Sequence, residues 1–163
     1  MVKHLYHESL EGKIPSGRYT LFHANRSINE LAYHDTLRKI EAEKRYDLVY
    51  VASVSRPTKE DYENQTIGKG RANNVLRSLF GMPLKEEEDL QRAEVEGKDV
   101  DAMKRSLART VRPVLPKHIS TNELLNRMNP ADTVLLTCGN PLSMQDIRSV
   151  AERNKMKFEK EDW

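Results

Sequence analysis

The sequence predicts an α/β fold: an open parallel sheet with helices on both faces. Three observations carry this expectation. Apolar runs at 19–24, 47–53 and 133–137 each have the length of a single strand and break into polar or turn-forming residues. Helical patterning recurs between and after them, and strand followed by helix implies right-handed crossovers and parallel pairing. The length, 163 residues, suits one domain with a sizeable core and not two full-sized ones.

In chain order, residues 1–10 pattern as the tail of a helix, with Leu5, Tyr6 and Leu10 apolar; Gly12 and then Pro15-Ser16-Gly17 stop it. Residues 19–24 form a short apolar strand followed by Asn25-Arg26-Ser27. Ser27 and Glu30 have capping-box spacing, so a helix is expected from there to about Lys44, burying Leu31, Leu37 and Ile40. Residues 47–53 are the next strand, ending in Val54-Ser55-Arg56-Pro57. The 58–70 stretch is polar, with turn signals at Asn64 and Gly68-Lys69-Gly70, and 73–79 is helical. The 85–109 stretch is charge-dense, and Leu90, Val95, Val100, Met103 and Leu107 are too sparse for a full core face. It is expected to be a helical or mobile insertion, within about 84–110, of a single domain spanning 1–163. Residues 121–128 form a short helix capped by Thr121. The run Thr133-Val134-Leu135-Leu136-Thr137 reads as a buried strand that Cys138-Gly139-Asn140-Pro141 ends, and 142–153 is a helix with Ile147, Val150 and Ala151 on one stripe.

Composition narrows the function classes. Twenty-seven Lys and Arg nearly cancel 25 Asp and Glu, which argues against a broad nucleic-acid or membrane footprint while leaving room for local basic clusters. A single cysteine excludes an internal disulfide and a cysteine-based zinc site, and fits a reducing compartment. No apolar stretch approaches the ~20 residues of a membrane span, so a soluble, cytoplasmic protein is expected.

Three expected strand ends carry polar clusters: Asn25-Arg26, Ser55-Arg56 and Cys138-Gly139-Asn140. Parallel strands point one way, so these should gather along the carboxyl edge, where open α/β sheets bind ligands. Two arginines with a serine hydroxyl suit a phosphate monoester, because guanidinium groups bind phosphate oxygens in bidentate fashion. Lys69 and Arg71 could join them. Taken singly, each arginine also reads as a surface charge, and Cys138 reads equally as a small hydrophobe before a turn. His4 and His7 lie one helical turn apart without a third ligand nearby, so a solvated face is expected there and no metal site. His23 and His34 read as packing or surface residues. Neither a Walker loop nor a Gly-x-Ser-x-Gly elbow occurs.

Taken together, Phe22-His23-Ala24-Asn25-Arg26 with Glu30-Leu31-Ala32-Tyr33, Val54-Ser55-Arg56, Ile67-Gly68-Lys69-Gly70-Arg71, Leu136-Thr137-Cys138-Gly139-Asn140-Pro141 and Trp163 resemble one family. It is the NADP-binding, Rossmann-like domain of the ferredoxin–NADP⁺ reductases, most closely the bacterial branch. The resemblance covers 1–83 and 130–163. It implies that Arg26, Arg56 and Arg71 clamp the adenosine 2′-phosphate of NADP(H), with Ser55 assisting and Asn25 and Lys69 in the same site. It further implies that Cys138 and Gly139 lie beside the nicotinamide, that Asn140 and Pro141 shape the turn against the dinucleotide, and that Trp163, with Glu161 as an acidic neighbour, meets the flavin. Cys138, Glu161 and Trp163 are then the residues at the hydride-transfer centre.

Family members also carry a flavin-binding barrel and a Gly-Thr-Gly-x-Ala-Pro loop after the first strand, and this sequence contains neither. It therefore reads as an N-terminally truncated domain, beginning inside the helix that follows that loop and lacking an inner strand. FAD would come only with a separate domain or polypeptide, ferredoxin or flavodoxin would be the electron partner, and the chain alone would not turn over. Asp162 stands where the bacterial branch places an aromatic. Exposed sheet edges are expected to favour self-association. The alternative expectation is a non-catalytic interaction or regulatory module, with 86–109 as its partner-binding surface.

Overall fold

The computed structural model describes residues 2–13 and 17–160. It is an α/β fold with a parallel, open three-stranded sheet and helices packed around it. Strand β1 (Tyr19–Asn25) pairs in parallel with β2 (Leu48–Val54), which pairs in parallel with the two-residue β3 (Gly68–Lys69). Strand β4 (Val134–Thr137) pairs in parallel with β5 (Lys157–Lys160), but as a separate two-stranded sheet. The expected single sheet is thus divided, because β4 has no ladder to β1. Strand β5 escaped the sequence reading: Lys-Phe-Glu-Lys offers one apolar residue and no period to count.

Two apolar layers sandwich the main sheet. On one face, Leu48, Tyr50, Ala52 and Val54 of β2 pack with Leu37 and Ile40 of α2 (His34–Glu43), while Leu5 and Tyr6 of α1 (Val2–Leu10) lie against them. On the other face, Val49 and Val51 meet Leu76 and Leu79 of α4 (Ala72–Leu79), Leu124 of α7 (Thr121–Arg127) and Val150 and Ala151 of α8 (Pro141–Arg153). Leu135 and Phe158 of the smaller sheet pack on that same layer. Helices α4 and α8 therefore join the two sheets through apolar burial, although no backbone ladder does.

Several local expectations are corrected. Ser27 caps no α-helix: its hydroxyl makes no cap bond, a 3-10 turn covers Ile28–Glu30, and α2 starts only at His34 after Tyr33 adopts φ +59°. The polar 58–70 stretch holds α3 (Lys59–Glu63), closed by a reciprocal Thr58–Asp61 capping box, as well as β3. For the charged insertion, expected to be helical or mobile, the structure shows the helical alternative, as α5 (Lys85–Val95) and α6 (Asp101–Ala108). Helix α7 is capped by Ser120, whose hydroxyl accepts from the Glu123 amide at 3.1 Å, in place of Thr121.

Candidate functional site

The arginine edge follows from strand register. Asn25 stands beside Val54, and Val54 beside Lys69. Beyond that row the chains stay laced: the Ser55 amide donates to Asn25 O (2.8 Å), the Arg56 amide to Arg26 O (3.0 Å) and the Gly70 amide to Val54 O (2.9 Å). Arg26, Arg56 and Arg71 accordingly leave the carboxyl ends of three adjacent strands, which lie ~4.8 Å apart. All three are exposed, and Ser55, next to Arg56 in the chain, is half-buried. Among the described residues neither Arg26 nor Arg56 is paired with a carboxylate, whereas Arg71 Nη1 donates to Glu86 Oε1 at 3.0 Å. Two guanidinium groups without a carboxylate partner, from adjacent strand ends, offer charged donors to a doubly charged anion.

Asn25 and Lys69 are placed differently from the expectation. The Asn25 side chain folds back on its own loop, donating to Glu30 O at 2.8 Å and accepting from the Arg26 amide at 2.9 Å. It shapes the loop that carries Arg26, and both of its polar ends are engaged. Lys69 is 2% exposed and its ammonium is turned inward onto the carbonyls of Ile67 and, at 3.3 Å, Asn64. Burial lowers its pKa, partly offset by the Asp61 carboxylate. The sequence reading placed Lys69 in an open glycine-rich loop. In the structure the Val114 bridge closes over it, with the Lys69 amide donating to Val114 O at 2.7 Å. Lys69 therefore offers no ammonium to a ligand in this arrangement.

The second cluster stands apart from the arginine edge. Cys138 follows β4 and is exposed, so neither the buried-hydrophobe reading nor a shared sheet edge with Arg26 and Arg56 holds. Gly139 has φ +126°, a conformation natural to glycine alone, and lets the chain turn directly into α8. Asn140 caps that helix, accepting from the amides of Leu142 (3.0 Å) and Ser143 (3.4 Å), and Pro141 takes its first position. Asn140 and Pro141 thus have a complete local reason to be where they are. Glu161 and Trp163 lie outside the described residues.

Sequence reasoning missed a polar cluster beneath the arginine edge. The Tyr50 hydroxyl of β2 lies 3.0 Å from His23 Nδ1 of β1 and 3.1 Å from His34 Nδ1 of α2. Tyr50 lies within an expected apolar strand, and no spacing rule pairs it with residues 27 and 16 positions away. No group of three or more His, Cys, Asp or Glu is placed to hold a metal among the described residues, and none of their helices is long and apolar enough to cross a membrane.

Exposed guanidinium groups without a carboxylate partner among the described residues can take the oxygens of a phosphate group. Comparison with known protein families, curated proteins and solved structures returned no match to this chain.

Proposed function

We propose that this chain binds NADP(H) through the 2′-phosphate of its adenosine, as the nucleotide-binding part of a flavin-dependent ferredoxin or flavodoxin reductase. One observation supports the reading above others: Arg26 and Arg56 follow adjacent parallel strands, joined through an Arg56 amide to Arg26 carbonyl bond of 3.0 Å, and among the described residues neither is paired with a carboxylate. Arg26 and Arg56 would hold the phosphate oxygens, Ser55 would add a hydroxyl, and Arg71 would share its guanidinium between Glu86 and the ligand. NADP(H) would supply the hydride chemistry when bound, and FAD would be held by another domain or polypeptide. This chain's share is recognition and orientation, which is most of what hydride transfer asks of a protein.

A second reading is favoured by a specific feature. Cys138 and Gly139 sit on a sheet separate from the arginines, and Lys69 is turned inward. A module that keeps phosphate recognition, or only the fold, without redox function would tolerate both.

Calorimetric titration separates the two. The reductase reading expects 2′-phospho-AMP and NADP⁺ to bind the folded chain, NAD⁺ to bind more weakly, and added salt to weaken the preference. Arg56→Ala should cost about 1.5–3 kcal/mol, the worth of a charge-assisted bond. Failure of a demonstrably folded sample to bind either phosphorylated ligand would remove the support for nucleotide recognition.

A further inference from the structure

Tyr50 is among the most enclosed side chains described, and the half-buried imidazoles of His23 and His34 converge on its hydroxyl from β1 and from the first residue of α2. Proton counting restricts this triplet. A phenol carries one proton, so it can donate to only one of the two Nδ1 atoms; the other imidazole must carry its own proton on Nδ1 and donate to the phenol oxygen. The neutral cluster is then satisfied, with the two rings in opposite tautomers. One added proton makes both Nδ1 atoms donors. Both then point at the same oxygen, and the phenol proton is left without an acceptor inside the cluster, which is costly in a buried site.

The surroundings offer no ready compensation. On α2, Asp35 favours the charged form of His34 and Arg38 opposes it, while burial outweighs both and lowers its pKa. Burial lowers His23 as well, followed by the charge of His34. Burial also raises Tyr50, to about 12, with Arg38 opposing and Glu41 reinforcing, so the phenol stays protonated. Glu41 is already committed: one oxygen accepts the Tyr50 amide at 2.8 Å and the other accepts Arg38 Nη1 at 2.9 Å. His118, from the loop before α7, lies 2.8 Å from Arg38 and contributes no acceptor to the phenol.

We propose that His23, Tyr50 and His34 form a one-proton latch. In neutral solution it fastens the start of α2, and the 26–33 loop carrying Arg26, to the sheet; in mildly acidic solution it lets go. Tyr33 fits this role, since it enters α2 at φ +59°, a conformation unfavourable for a tyrosine unless neighbouring contacts hold it. The latch does not depend on what the arginine edge binds.

Amide hydrogen exchange on the full chain tests it, with intrinsic pH effects removed by reference to unstructured peptides. Protection across 28–37 should fall by up to about tenfold between pH 7.5 and 5.5, relative to β2, as expected when the released state takes up one proton at the ordinary histidine value of about 6.5. Tyr50→Phe should give the low protection at both pH values. His34→Gln should keep protection high at both, because a glutamine oxygen accepts the phenol proton while a protonated His23 donates to the phenol. Equal wild-type protection at the two pH values, or a Tyr50→Phe protein retaining the wild-type dependence, overturns the latch. Should Tyr50→Phe not fold, His34→Gln decides: a wild-type-like loss in acid rejects the latch, and flat protection supports it.

Discussion

Arg77 is 1% exposed, and its guanidinium is bound on every side: to Asp146 through Nε (2.9 Å) and Nη2 (2.5 Å), to Glu88 Oε2 at 2.7 Å and to the Pro83 carbonyl at 2.9 Å. Asn73, one turn earlier on α4, donates to Asp146 at 2.8 Å. Removing Asp146 strips the buried guanidinium of its closest carboxylate and leaves Glu88 as the remaining one, so Asp146→Ala should lower the unfolding free energy by about 1.5–3 kcal/mol in urea titrations. A loss below 1 kcal/mol would mean that water reaches Arg77. Nothing in the sequence foretold this network, because polar residues spaced four apart on a helix read as a solvated face. The histidines give a second expectation. Burial leads the lowering of pKa for His23, His34 and His118, so folding favours their neutral forms and the unfolded chain binds more protons. Stability should therefore be complete above the ordinary histidine value of about 6.5 and decline as pH falls through it. Urea midpoints unchanged between pH 7.5 and 5.5 would contradict this.

Helices α5 and α6 show why a charge-rich segment resists pattern reading. Three consecutive glutamates in the first turn of α5 each hold an arginine: Glu86 takes Arg71, Glu87 takes Arg112 at 3.2 Å, and Glu88 takes Arg77 and Arg153. Glu86 also accepts from Asn74 at 2.8 Å. The segment is anchored ionically at one end, with Ala93 as its buried apolar residue, so an apolar period was never there to be counted. Strand β2 was readable because burial imposes an apolar run on it; the run at β4 was read as a buried strand as well, but there Val134 and Leu136 stand exposed, and Arg26 and Arg56 were readable because they sit where the runs of β1 and β2 stop. Strand β3 was not, since two residues hold no period and its pairing depends on Gly68. A Cβ there would come within 2.7 Å of Val114 O and 3.0 Å of Ala52 O. Helix α6 has no buried residue. It should open first: native-state exchange is expected to show amides of 101–108 exchanging faster than those of 86–95, and limited proteolysis should cut within 96–110. Protection in α6 equal to that in α5 would show that contacts between the two helices hold them as one unit.

The divided sheet sets the behaviour of the protein in solution. Beyond β2 the outer edge is guarded: Glu41 takes the outward Tyr50 amide, β3 covers Ser53 and Val54, and the Val114 bridge covers β3. Among the described residues strand β1 has no such cover. Its Tyr19 amide donates to Asp47 O and its Asn25 carbonyl accepts from Ser55, so by alternation Thr20, Phe22 and Ala24 turn their backbone groups away from β2. On β4, Thr133 O accepts from Lys157, which by the same alternation turns Val134 and Leu136 outward from β5, and both of these side chains are exposed. Open backbone edges beside exposed apolar side chains are templates for pairing with another chain. A second copy of this chain is the partner always at hand, so sedimentation should show association that grows with concentration, and Leu136→Lys should suppress it by placing a charge beside the edge. A protein monomeric at all concentrations, with the amides of Phe22 and Ala24 as slow to exchange as those of Val49 and Val51, would show that these edges are already closed within one molecule.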